Sequence, residues 1–139
     1  MGLSAFLKEK ALKIESISYV ASKRFVEDGK PLAWKLRVLQ NTQFDSIVQG
    51  ARKRVVDPKT QAVSVITDAT KLRDDLLVAC VEYPNLADSE LQNSYEAIGE
   101  LDLVKKMLSP GELTDLASAI QQANGFDVGM ADMVEEVKN

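Results

Sequence analysis

Histidine is absent from the 139 residues, and Cys80 is the single cysteine. Without an imidazole, the commonest general acid–base group is missing, and Ser-His-Asp and Cys-His nucleophile systems are excluded. The commonest zinc ligand is missing too, and one thiol alone builds no structural zinc site. A lone cysteine forms no intrachain disulfide, which suits a reducing compartment such as the cytoplasm. No run of about 18 apolar residues occurs, so the sequence offers no transmembrane helix. The opening "MGLSAFLKEKALK" puts its short apolar segment before its lysines, the reverse of a secretory signal. Gly2 hints at myristoylation, but Phe6 stands where that motif requires Ser or Thr. These absences point away from an enzyme, a cofactor or metal protein, and a membrane protein.

What is present is ordinary in amount and uneven in placement. Hydrophobic residues make up 45% and charged residues 27%, values of a soluble globular chain. The length suits one domain over residues 1–139, large enough to bury a core. The net charge of −4 conceals a polarity. Residues 1–60 hold 12 Lys/Arg against 6 Asp/Glu, a net of +6; residues 61–139 hold 5 against 15, a net of −10. Such polarity can orient a partner or drive head-to-tail self-association.

The pattern predicts an α+β, mainly α chain: an N-terminal β-hairpin at about 15–39 packed on about five helices at about 41–138. A short first helix is expected over "LSAFLKEKALKI", capped by Ser4. Period-two alternation in "IESISYVASKRF" and "PLAWKLRVL" predicts two strands, joined by a turn at Asp28-Gly29. Val63–Thr67 is a candidate third strand of that sheet. A helix over "QFDSIVQGARKRV", capped by Asn41 or Thr42, is expected to end at Asp57-Pro58. It would carry three consecutive basic residues in its last turn, favourable to the helix dipole. That short run, in a protein of pI near 4.9, is weak evidence for nucleic acid, and no nucleic-acid partner is expected.

The second half reads as helices with local punctuation. Thr67 or Asp68 caps "ATKLRDDLLVACVEY", with Cys80 as a small core residue. Tyr83-Pro84 ends that helix, and Asp88 or Ser89 caps the next, carrying Leu91, Tyr95 and Ile98. Gly99 breaks the chain before "ELDLVKKML". Ser109-Pro110 with Glu112 forms a helix start and capping box, and Gly125 stops that helix. Glu90, Glu96, Glu100 and Asp102 are clustered acids, but nothing in their spacing forces them to converge. The stretch Tyr83–Gly99 therefore reads as a helix-turn-helix corner with Tyr83 and Tyr95 packed. The C-terminal "DVGMADMVEEVKN" is amphipathic and acidic. Phe126, Met130, Met133, Val134 and Val137 are the candidate protein-binding residues, because methionines adapt to varied partners.

"LSAFLKE", "YVASKRFVEDGKPLAWKLR", "ACVEYPNLADSELQNSYEAIGELDLVKKMLSPGEL" and "NGFD", in this order, resemble the XkdN-like tail assembly chaperones of PBSX-like prophages and contractile-tailed phages. The resemblance implies a non-catalytic role in the host bacterial cytoplasm. Such a chaperone binds the tape measure protein, keeps its apolar helical segments from aggregating, and helps recruit the tail tube protein. It also implies that a longer, frameshifted product exists in many such systems. The alternative is a structural tail component, such as a connector or terminator subunit, retained in the virion.

Overall fold

The computed structural model describes residues 2–126. Its elements, in order, are β1 (Ile17–Tyr19), β2 (Val26–Glu27), β3 (Lys30–Pro31), β4 (Trp34–Leu36), α1 (Asn41–Gly50), β5 (Arg52–Val56), β6 (Val63–Thr67), α2 (Ala69–Cys80), β7 (Val81–Tyr83), α3 (Ser89–Ser94), α4 (Glu100–Met107) and α5 (Pro110–Ala123). This is the expected mainly helical α+β architecture.

The alternation around Trp34 sets the centre of the fold. Trp34 and Leu36 point inward and Lys35 points out, as a half-buried strand requires. β4 is the middle strand of a three-stranded antiparallel sheet ordered β1-β4-β7. β1 pairs as Ile17↔Leu36 and Tyr19↔Trp34, and β7 pairs as Lys35↔Tyr83 and Leu36↔Val81 across a register shift. The sheet's inner face meets α2, α4 and α5 through Leu77, Cys80, Leu103, Val104, Leu116 and Ile120, all essentially inaccessible. A smaller cluster of Ala51, Leu72 and Leu76 joins α1 to α2, with Phe44, Ile47 and Val48 against it.

Local signals placed several boundaries correctly. Asp28 and Gly29 both have positive φ (54° and 77°), as a tight hairpin turn between β2 and β3 demands. Asp68 caps α2 by accepting the Lys71 N–H, and Asp88 caps α3 by accepting that of Leu91. Gly99, at φ 92°, is the N-cap of α4.

Other expectations are corrected. The N-terminal segment forms only a 3-10 turn at Ser4–Phe6, with Leu3 rather than Ser4 before it. Its apolar residues meet no core, so nothing offsets the cost of nucleating a helix. α1 begins after Gln40, which forms a capping box with Gln43, and stops at Gly50. The basic run Arg52–Arg54 is then β-strand, followed by Val55 and Val56, whose branched side chains favour that state. Val63–Thr67 is a strand, but it pairs with β5 in a separate hairpin turned at Asp57-Pro58. The third strand of the main sheet is instead Val81–Tyr83, expected as the end of α2. α2 stops at Cys80, and Arg37 N–H bonds the Cys80 carbonyl. In the Tyr83–Gly99 corner Tyr95 packs on the core, while Tyr83 is 48% and Ile98 91% exposed.

Candidate protein-binding surface

The C-terminal candidate surface starts where α5 ends, and α5 is fixed at both ends. At its start Ser109 Oγ accepts the Glu112 N–H (3.3 Å), and Glu112 Oε1 accepts the Ser109 N–H (2.9 Å). Arg24 Nη2 donates to the same carboxylate at 3.0 Å and to the Met107 carbonyl at 2.6 Å. The Ser109 N–H above all, with hydrogen bonds from Ser22 and Arg24, lowers the Glu112 carboxyl from 4.5 to about 2. The predicted capping box is therefore also a tie between the β1–β2 connection and α5.

At the other end Asn124 acts as a clamp. Its Oδ1 accepts the Leu39 N–H at 2.8 Å, and its Nδ2 donates to the Ile120 carbonyl at 2.9 Å. The same amide lies 3.4 Å from the Arg37 carbonyl and 3.8 Å from Cys80 Sγ. Gly125, at φ 89°, turns the chain, and the Phe126 N–H returns to the Gln121 carbonyl at 2.9 Å. The Phe126 ring sits 5.5 Å from that of Phe44, centroid to centroid. The structure thus places Phe126 half-buried at the junction of α5 with α1, as an anchor for the chain that leaves it. Met130, Met133, Val134 and Val137 lie outside the described residues.

Two further apolar surfaces escape a reading by periodicity. Leu3, Phe6, Leu7, Leu12 and Ile14 are exposed along the N-terminal segment, interspersed with Lys8, Lys10 and Lys13. The β5–β6 hairpin exposes Val55, Val56, Val63, Val65 and Ile66 beside Arg52, Lys53 and Arg54. The signal for this hairpin was in the sequence: two valine-rich runs flank a polar "DPKTQA" turn.

Several other polar groups are engaged in structure. Asp102 Oδ2 accepts the Ile98 N–H at 2.9 Å and pairs with Lys106 at 3.1 Å. Those hydrogen bonds, that of Ile98 first, hold its carboxyl below the usual range. Asp74, almost fully buried, is bound by Arg73 at 2.9 Å and Lys105 at 3.5 Å, joining α2 to α4. Burial pushes the Cys80 thiol up to about 11, which leaves it unreactive. Among the described residues no group of three or more Cys, Asp or Glu side chains is placed to hold a metal ion. Nor is any described helix long and apolar enough to cross a membrane.

Comparison with known proteins agrees with this architecture. A model of the family described as phage XkdN-like tail assembly chaperone protein matches residues 3–138. The phage-like element PBSX protein XkdN of Bacillus subtilis is 26% identical over 99% of this chain and 93% of its own length. The uncharacterized protein YqbN of the same organism is 24% identical over the same shares. A crystal structure of the protein YqbN superposes with a TM-score of 0.73 at 21% identity, covering 91% of this chain and 98% of that one, and shows the shared fold.

Proposed function

The chain belongs to the phage XkdN-like tail assembly chaperone family, and from that premise we propose that it is a non-catalytic holdase for the tape measure protein of its phage tail. The observation that carries this reading is the set of large apolar side chains left outside the core. Leu3, Phe6, Leu12 and Ile14 are each more than three-quarters exposed, on a segment that also carries three lysines. Large apolar side chains left in water among charged ones are groups that a partner can cover. A tape measure segment would bury its apolar face against this surface, while the charged rim keeps the complex in solution. The acidic, methionine-bearing sequence that follows Phe126 is proposed as a second contact, toward the tape measure or the tube protein.

Co-expression with the tape measure protein encoded nearby, followed by pull-down and a solubility assay, tests this. The expected result is a soluble, co-purifying complex that is weakened by F6D and L12D together. An insoluble, unbound tape measure protein, with this chain present in purified particles, would replace the holdase by a structural tail subunit.

A further inference from the structure

We propose that two copies of this chain associate through the free edge of β6, forming a four-stranded antiparallel sheet ordered β5-β6-β6-β5 across a two-fold axis at Val65. This goes beyond the holdase reading and does not depend on it.

The hairpin is incomplete as it stands. Its ten strand residues include none that is buried, and among the described residues it pairs with no other strand. Two-stranded ribbons are marginal in water, and an uncovered, uncharged edge is a template for another strand. The two edges differ in this respect. β5 carries Arg52, Lys53 and Arg54, so a second β5 laid against it would set cations opposite cations. β6 is Val-Ser-Val-Ile-Thr, with no charge, proline or glycine. The neutral edge admits a copy of itself, and the cationic edge repels one.

Backbone parity then fixes the register. The Asp57 N–H bonds the Ala62 carbonyl, and the Asp68 N–H bonds the Ala51 carbonyl at 2.7 Å. Even-numbered residues of this strand therefore turn their polar backbone groups toward β5. Alternation turns those of Val63, Val65 and Thr67 outward. Pairing Val65 with its symmetry mate sets Val63 against the partner's Thr67 and satisfies the N–H and C=O of all three residues on both strands. Any shift along the edge leaves some unpaired. The side chains agree with this register, since Val63 and Val65 share a face with their counterparts and with Val56. Nor does charge oppose it: the two β5 strands end three strand spacings apart, about 14 Å, well beyond the screening length of about 8 Å at physiological salt.

Sedimentation of the full chain across the micromolar range tests the proposal. The wild type is expected to be a dimer, V65K a monomer, and an equimolar mixture of V65K with V65E a dimer again. Cysteine pairs then read the register: S64C and I66C should each fail to cross-link alone and should cross-link when mixed, Cys80 being buried and silent. A monomeric wild type overturns the proposal, as does a V65K dimer. Failure of both the charge swap and the mixed cysteines overturns it as well, because unfolding of one variant cannot produce that pair of results when far-UV circular dichroism is unchanged.

Discussion

The β1-β4-β7 sheet and the β5–β6 hairpin are both antiparallel, both short, and opposite in what holds them. In the sheet, Trp34 and Leu36 alternate with Lys35 and lock one face onto three helices. In the hairpin, five cross-strand pairs form with no core beneath either face. The difference shows that backbone pairing alone does not make a strand part of a fold. What sits on its faces does, because burial of apolar area is the dominant stabilising term and a hydrogen bond exchanged with water adds only about 0.5–1.5 kcal/mol.

The largest effect should come from emptying the sheet's inner face. Trp34→Ala is expected to cost about 3–5 kcal/mol, enough to unfold much of the population, while Val55→Ala in the hairpin, away from the β6 edge, stays within about 0.5 kcal/mol. Urea titrations of the two variants side by side would collapse the contrast if they moved equally. Next is Asp74→Ala, which removes the hydrogen-bonded carboxylate between α2 and α4. Its cationic partners remain partly in water, so about 1.5–3 kcal/mol is expected, the range for a hydrogen bond to a charged group. Asn124→Ala strands the part-buried Leu39 N–H and should cost about 1–3 kcal/mol. It should also speed hydrogen exchange at Leu39 and Phe126 together.

Glu112 gives a test that depends on pH. Its folded carboxyl titrates at about 2 against an ordinary 4.5. The unfolded chain therefore takes up the proton first. The stabilisation is fully present above about pH 4.5 and is lost as pH falls toward about 2. Melting temperature followed down that range should fall less steeply for E112Q than for the wild type. Smallest of all should be replacement of residues 52–67 by a short Gly-Ser linker, with melting of the helical body nearly unchanged. A drop larger than that of the monomeric V65K variant would show that the hairpin belongs to the core after all.

Legibility in the sequence followed the range of the interactions. α5 was readable at both ends because Ser109, Pro110, Glu112 and Gly125 act within one turn of themselves. Asp28-Gly29 was readable for the same reason. β7 was not, since "VACVEY" continues a helical stripe and becomes a strand only by meeting Lys35 and Leu36 from far upstream. The basic run 52–54 reads as a helix end in isolation and is a strand only through pairing with Val63–Thr67, whose own letters suit either sheet equally. Of the candidate surface, Phe126 was found as an apolar residue, but its stacking on Phe44 and the Asn124 clamp are tertiary facts. The exposed N-terminal apolar residues were visible as letters. Their exposure was not, because the same letters would serve a buried helix equally well.

The Asp68–Ala51 hydrogen bond brings the chain back to the point at which it left the body. Topologically, residues 52–67 are a detour with a closed entrance. The entropy of closing such a detour grows only with the logarithm of its length. The body is thus a chassis with a socket: a reporter domain, an epitope or a foreign binding loop inserted between Ala51 and Asp68 would be carried without rewriting the core.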